Sequence, residues 1–231
     1  MNKHCPNKVS LFIIFVSMVR LLSYLYPITK KIKSDVNGVL EITWYNGKKH
    51  LNSKNANYSY GSLQRILKFG LEKIDLHKVR SVLLLGLGGG SVIKTLHEDF
   101  NFEGVITAVD IDPEIIKIAK EEFALQTNNK LHIICDDALN YVAQNSSTYD
   151  LIIVDLFIDT EVPKQFLEHQ FWQNVIRLKS AKGCLLFNAS LKTHIEQNLE
   201  TVISYLKTKV YKVDVYEKVN DTNTVVVANS I

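Results

Sequence analysis

The chain is short of the features that would mark metal, nucleic acid or an oxidised compartment. It has three cysteines, Cys5, Cys135 and Cys184, with no CxxC and no Cys/His spacing, so no metal site is expected. Cys135 and Cys184 sit in apolar, strand-like runs and read as buried free thiols, which fits a reducing, cytoplasmic setting. Charge of one sign is also lacking. A formal net charge of +3 over 231 residues is too small to argue for nucleic acid. The tight basic clusters, Lys30, Lys31 and Lys33, then Lys48 and Lys49, read as solvated surface. No convincing membrane span is present. The apolar stretch Val9 to Tyr26 is interrupted by Arg20, and its unbroken part falls short of the roughly 18 residues a span needs. No small-residue cleavage site follows it. A weak anchor, an amphipathic surface helix and a translation start at Met18 are the three readings of this leader. The start at Met18 is the favoured one. Pro27 and the polar run Thr29 to Ser34 then read as a linker.

Glycine is scarce, with ten in the chain, yet four of them fall in one stretch, Ser81-Val-Leu-Leu-Leu-Gly-Leu-Gly-Gly-Gly-Ser91. Val82 to Leu85 is a short, wholly apolar run of the kind that forms a buried parallel strand. Gly86, Gly88, Gly89 and Gly90 make a turn nearly free of side chains, so a ligand can approach its backbone. A helical pattern opens at Ser91, whose free N–H groups would face the same place. By itself the turn is a weak signal, because Ser91 stands where a dinucleotide fingerprint has its third glycine. A tight strand-to-helix turn without a ligand is the alternative.

Before this strand, Gly38 to Tyr45 alternates and is rich in strand formers. Asn46-Gly47 is a strong hairpin signal, and Lys48 to Leu51 reads as the return strand. Tyr60 to Ile74 has helical spacing at Leu63, Ile66, Leu67, Leu71 and Ile74. Tyr58, Tyr60 and Gln64 are candidates for a pocket mouth, with packing as the other reading.

After the turn, strands and helices alternate. Val105 to Val109 ends in Asp110, with a helix from Pro113. Leu131 to Cys135 ends in Asp136-Asp137-Ala138, with a helix over Leu139 to Ala143. Leu151 to Val154 ends in Asp155, with a helix over about Phe166 to Leu178. A fifth strand covers Cys184 to Asn188, a further helix Thr193 to Lys207. Two last strands, about Val210 to Glu217 and Thr222 to Ala228, join at Asn220-Asp221. This alternation predicts a parallel sheet with helices on both faces, and a ligand beyond the carboxyl ends of the strands. Asp110, about 20 residues beyond the glycine turn, stands where an acid accepts from ribose hydroxyls. Asp137, with Asp136 as rival, is placed to accept from an adenine amino group. Asp155 would reach a reacting centre, a helix N-cap being its other reading.

These residues resemble a class I S-adenosylmethionine-dependent methyltransferase fold, and within it the spermidine/spermine synthase family. LLLGLGGGS is similar to the family's glycine-rich cofactor motif, AVDIDPEIIKIAK to its ribose-binding strand and helix, CDDALNYV to its adenine motif and YDLIIVDLF to the motif of its catalytic aspartate. The NYSYGSL segment resembles the substrate gate. The resemblance implies an α/β, Rossmann-like fold: a seven-stranded, mostly parallel sheet with a terminal antiparallel hairpin, preceded by a small β-hairpin. After the leader and linker read over 1–35, it implies a hairpin region over 36–57 and a transferase domain over 58–231. It further implies that Gly86, Leu87, Gly88, Gly89, Gly90, Asp110, Ile111, Asp136, Asp137, Ala138 and Asp155 hold S-adenosylmethionine or its decarboxylated form, with Asp155 catalytic. Tyr60, Gln64, Phe157 and Asp159 are the residues for a small-molecule acceptor; a homodimer is compatible with all this. The chain also departs from the family. Asp155-Leu156-Phe157-Ile158 replaces Asp-Ser-Ser-Asp, so the second acid is absent unless the displaced Asp159 serves, and Tyr60-Gly61-Ser62 replaces Tyr-Gln-Glu. Methyl transfer is therefore the leading expectation and aminopropyl transfer the runner-up. A nicotinamide-dependent oxidoreductase and a non-catalytic binding module remain as alternatives.

Overall fold

The computed structural model describes residues 16–53, 57–59, 61–190, 196–209 and 211–230. Its elements follow one another as α1 (16–22), β1 (Ile28–Ser34), β2 (Gly38–Tyr45), β3 (Lys48–Asn52), β4 (Asn57–Ser59), α2 (Ser62–Leu71), β5 (Ser81–Leu85), α3 (Ser91–Phe100), β6 (Val105–Asp110) and α4 (Pro113–Glu122). They continue with β7 (Leu131–Cys135), α5 (Ala138–Gln144), β8 (Tyr149–Val154), α6 (His169–Arg177), β9 (Lys179–Ser190), α7 (Glu196–Thr208), β10 (Tyr211–Val219) and β11 (Asn223–Ser230). The main sheet has seven strands in the order β10-β11-β9-β8-β5-β6-β7. The pairs from β9 through β8, β5 and β6 to β7 are parallel, and β11 and β10 close the other edge antiparallel.

The apolar run of β5 has no polar face because both of its faces are covered. Val82 and Leu84 pack with α2, α3 and α4, through Leu67, Leu96 and Ile116 among others. Leu83 and Leu85 pack with α5, α6 and α7, through Val142, Trp172 and Val202. All four strand residues have no solvent exposure, as the central strand of a doubly covered sheet requires.

The N-terminal part is larger than the expected hairpin. Its four strands form an antiparallel sheet in the order β1-β2-β3-β4. The polar run read as a linker is strand β1, paired along its whole length with β2 from Ile28↔Trp44 to Ser34↔Gly38. Its three lysines are exposed, so the composition resembled a linker, while Ile32 packs toward Leu40, Ile42 and Leu51. That small core is completed by Ile115 and Ile118 of α4, which joins the two sheets. The joint has a polar latch: buried Asp112, the N-cap of α4, accepts from Ser34 Oγ at 2.5 Å, Asn37 Nδ2 at 2.6 Å and the Glu114 N–H at 2.9 Å.

Around Met18 the described residues are helical. The segment just after them docks on the predicted Asn46-Gly47 turn. Ser23, 1% exposed, accepts from the Asn46 N–H through its carbonyl and from the Gly47 N–H through its hydroxyl. Residues 1–15 lie outside the described residues. Among the described residues no helix is long and apolar enough to cross a membrane.

Smaller expectations are also adjusted. Cys184 is buried, but Cys135 is exposed, because β7 is an edge strand and Cys135 is its last residue. The helix expected from Phe166 begins as a 3₁₀ turn over Lys164–Leu167 and becomes α-helical at His169. β9 extends well beyond the expected Cys184 to Asn188, reaching Lys179–Ser190. The start of the helix expected over Thr193 to Lys207 lies outside the described residues, and α7 is described from Glu196.

Candidate active site

The strand order reverses between β5 and β8. From β5 the chain goes outward to β6 and β7, then returns to place β8 on the other side. The turns leaving β5 and β8 therefore diverge at their carboxyl ends and leave a crevice. A cavity of about 450 Å³ opens there, within the range of small-molecule sites.

The glycine turn forms one wall. Gly86 follows β5 at φ +96, donates its N–H to the Val109 carbonyl at 2.9 Å, and lies so close to β8 that a Cβ would collide with the Asp155 carbonyl oxygen. Only glycine fits both conditions. Gly86 and Gly88 line the cavity, whereas Leu87, Gly89 and Gly90 lie outside its lining. Leu87 is buried in the core, Gly89 is packed against Ser59 and Phe123, and Gly90 against Leu125. The first N–H of α3 is not left for a ligand, since Ser91 donates it to Ser59 Oγ at 3.2 Å.

Asp110 holds the turn in place. Its Oδ2 accepts from the N–H groups of Leu87 at 2.9 Å and Gly88 at 3.4 Å, and its Oδ1 from the Asp112 N–H at 3.0 Å. Burial pushes its carboxyl up to about 6; the backbone donors oppose this, and the charge of Asp112 adds to it. A carboxylate has about four acceptor sites, so three backbone donors still leave capacity for a hydroxyl. Asp136, Asp137 and Ala138 line the next part of the cavity with Ile111. Asp137 caps α5 by accepting from the Leu139 N–H at 2.8 Å, and Asp136 accepts from the Asp137 N–H at 2.8 Å.

Asp155 lies across from Asp110. Its carboxyl is also pushed up to about 6, by burial first, with the charge of Asp110 adding and a bond from Asn188 opposing. Asn188 Nδ2 donates to Asp155 Oδ1 at 2.8 Å, and Asn223 Nδ2 donates to Asn188 Oδ1 at 2.9 Å. The N-cap reading of Asp155 is not borne out: the chain runs on through irregular residues to the 3₁₀ turn at Lys164.

That irregular segment makes the far wall. Leu156, Phe157, Ile158, Asp159, Thr160, Pro163, Gln165 and Phe166 all face the cavity. Asp159 does reach it, in a left-handed conformation at φ 54, and accepts from Ser53 Oγ at 2.7 Å. Gln64 does not line the cavity; it donates to Thr95 Oγ1 at 3.0 Å across α2 and α3. Tyr60 lies outside the described residues, as does the side chain of Tyr58. Sequence reasoning missed the walls contributed from afar: Val36 and Asn37 from the β1–β2 turn, Leu63 and Ile66 from α2, and Thr222 and Asn223 from the terminal hairpin. Asn220-Asp221, both at positive φ, marked the turn that presents the last two.

Five carboxylates line the cavity, Asp110, Asp136, Asp137, Asp155 and Asp159, and no Lys, Arg or His is among its described lining residues. Acceptor-only groups of this kind suit a ligand rich in hydroxyl and amino donors and bearing positive charge.

The chain is similar to known proteins in sequence and in fold. The family model described as the spermine/spermidine synthase domain matches residues 64–224, more than half of the chain. A Drosophila pseudoobscura pseudoobscura protein, "eEF1A lysine and N-terminal methyltransferase homolog", is 29% identical over 165 residues, 65% of this chain and 24% of that protein. The polyamine aminopropyltransferase of Vibrio vulnificus is 31% identical over 114 residues, 48% of this chain and 38% of that enzyme. The chain thus spans less than two fifths of the length of these two relatives. The crystal structure of human methyltransferase-like protein 13 in complex with SAH superposes with a TM-score of 0.61 at 23% identity, covering 74% of this chain and 83% of that one.

Proposed function

The chain belongs to the spermine/spermidine synthase family, and from that premise we propose that it is a transferase using S-adenosylmethionine or its decarboxylated form. We assign it methyl transfer to a small-molecule acceptor. The observation that carries the reading is the convergence of Gly86, Asp110, Asp136, Asp137 and Asp155 on one cavity at the switch point of the sheet.

The residues present fit such a cofactor. Only glycine can occupy position 86 beside the Asp155 carbonyl, so the cavity wall there is bare backbone. Asp110 and Asp136 or Asp137 offer acceptors for ribose hydroxyls and an adenine amino group, and the carboxylate-rich lining suits a cationic sulfonium. When bound, the cofactor supplies an electrophilic carbon attached to that sulfonium. The remaining work belongs to the protein. The apolar wall of Leu156, Phe157, Pro163 and Phe166 excludes water and holds the acceptor in line. The carboxylate of Asp155, ionised above about pH 6, accepts the proton the acceptor nucleophile must lose.

One observation favours aminopropyl transfer as the second reading: Asp159 reaches the cavity with Asp155, so a second acid is available to a cationic acceptor. Against it, Leu156, Phe157 and Ile158 make the intervening floor apolar, where burying a diamine without partners is costly. Calorimetry with S-adenosylmethionine, its decarboxylated form and NAD tests the cofactor class. Binding of NAD alone would overturn the proposal. Incubation with decarboxylated S-adenosylmethionine and putrescine, followed by methylthioadenosine release, separates the two readings. Turnover well below about 1 per second is expected, and turnover at or above that rate would establish aminopropyl transfer instead.

A further inference from the structure

Behind Asp155 lies a side-chain chain that no cofactor motif contains. Asn188, on β9, has no solvent exposure, and its two polar atoms are both committed. Nδ2 donates to Asp155 Oδ1 at 2.8 Å; Oδ1 accepts from Asn223 Nδ2 at 2.9 Å. Asn223 opens β11, immediately after the tight turn of the terminal hairpin, and pairs with Ser190 of β9. An asparagine amide has one accepting end and one donating end. With Asn223 donating to the accepting end, the donating end of Asn188 has to face Asp155. The reverse orientation would set the Asn188 oxygen against a carboxylate oxygen in a buried place, with no donor between them.

We propose that Asn188, oriented by Asn223, is the positioning residue that holds Asp155 in its ionised, proton-accepting form. The arrangement favours the ionised state. An ionised Asp155 accepts the Asn188 N–H more strongly than the oxygen of a protonated carboxyl does, and the proton of the protonated form finds the Asn188 oxygen already taken by Asn223. The terminal hairpin, distant in sequence from the catalytic strand, thereby sets the readiness of the base. Burial, with the charge of Asp110 adding to it, pushes the Asp155 carboxyl up to about 6, and the Asn188 bond opposes that rise. The inference rests on the role given to Asp155 above, but its test does not need turnover.

The test is titration of the Asp155 carboxyl in ligand-free protein, by NMR of ¹³C-labelled aspartate carboxyl groups, with Asp155→Asn used to assign the signal. Wild type should titrate near 6. Asn188→Leu, which keeps the volume and removes the donor, should raise the midpoint by about 1–2 pH units, the equivalent of one hydrogen bond to a charged group. Asn223→Ala leaves Asn188 in place but frees its amide to rotate, and should raise the midpoint by less. A midpoint unmoved in Asn188→Leu would overturn the proposal, even if that variant were less stable. If Asn188→Leu does not fold, Asn223→Ala decides alone, and an unmoved titration there overturns it. Failure of the transferase assays with the midpoint shifts intact would count against the transferase reading and leave the positioning role standing.

Discussion

The two ends of the cavity hold their acids differently. At the glycine-turn end, Asp110 accepts three backbone N–H groups, from Leu87, Gly88 and Asp112. Two of these belong to the turn it fixes and one to the helix cap that follows it. At the other end, Asp155 accepts one amide hydrogen from Asn188, itself oriented by Asn223. Both carboxyls are pushed to about 6 by burial. In the proposed reading the first is a structural clamp that a ligand shares, and the second is a base held, among the described residues, by the Asn188 amide. A binding end built from main chain and a reacting end built from side chains can change independently, and Leu156-Phe157-Ile158 at the reacting end is one of the places where this chain departs from the motif it resembles.

The sharpest way to break that comparison is at the point where the two ends touch. Gly86→Ala puts a methyl group into the Asp155 carbonyl at a backbone φ of +96. A loss of about 3 kcal/mol or more of folding stability is expected in urea unfolding, from strain and overpacking together. A stable variant would mean that β5 and β8 separate easily, and that the ends are not rigidly joined.

Asp110→Ala should weaken S-adenosylmethionine binding by about 2–3 kcal/mol, the scale of lost charged hydrogen bonds. The turn also loses its anchor, so calorimetry should show a weaker complex even at temperatures where the variant is fully folded. Equal affinities would assign Asp110 to the turn alone.

Asp155→Asn should separate the ends by a change of opposite sign. A carboxyl raised from its ordinary 3.8 to about 6 binds its proton more tightly in the folded state than in the unfolded chain. Its favourable contribution is therefore complete below the unfolded value and is lost as pH rises through about 6. Asparagine keeps an acceptor for Asn188 and carries no charge. The variant should be about 1–3 kcal/mol more stable than wild type at pH 7, with the advantage gone below about pH 4. Asp110→Asn should show no such gain, because an amide nitrogen cannot accept the N–H bonds that one carboxylate oxygen now takes. Parallel thermal unfolding at the two pH values reads both variants.

The binding end was largely legible because its signals are local. Gly86, Asp110, Asp136 and Asp155 each stand within a residue or two of a strand's carboxyl end, and strands declare themselves by apolar runs. The reacting end was legible only in Asp155, Phe157 and Asp159. Asn188 and Asn223 each looked like one more residue of a strand. Thr29 to Ser34 looked like a linker because an edge strand with an exposed face needs few apolar residues.

The sequence by itself determined the alternation of strands and helices, the glycine turn and the acids that end three strands, since each follows from periodicity or from a residue's own conformational range. Tertiary structure alone decided that β1 pairs with β2, that Val36 and Asn37 reach the cavity, and that Asn188 meets both Asp155 and Asn223. The two Asn188 contacts join residues 33 and 35 positions apart, and the bond of Ser53 to Asp159 joins residues 106 apart. No local preference encodes them, because a hydrogen-bonding side chain is indifferent to its partner until packing brings that partner within reach.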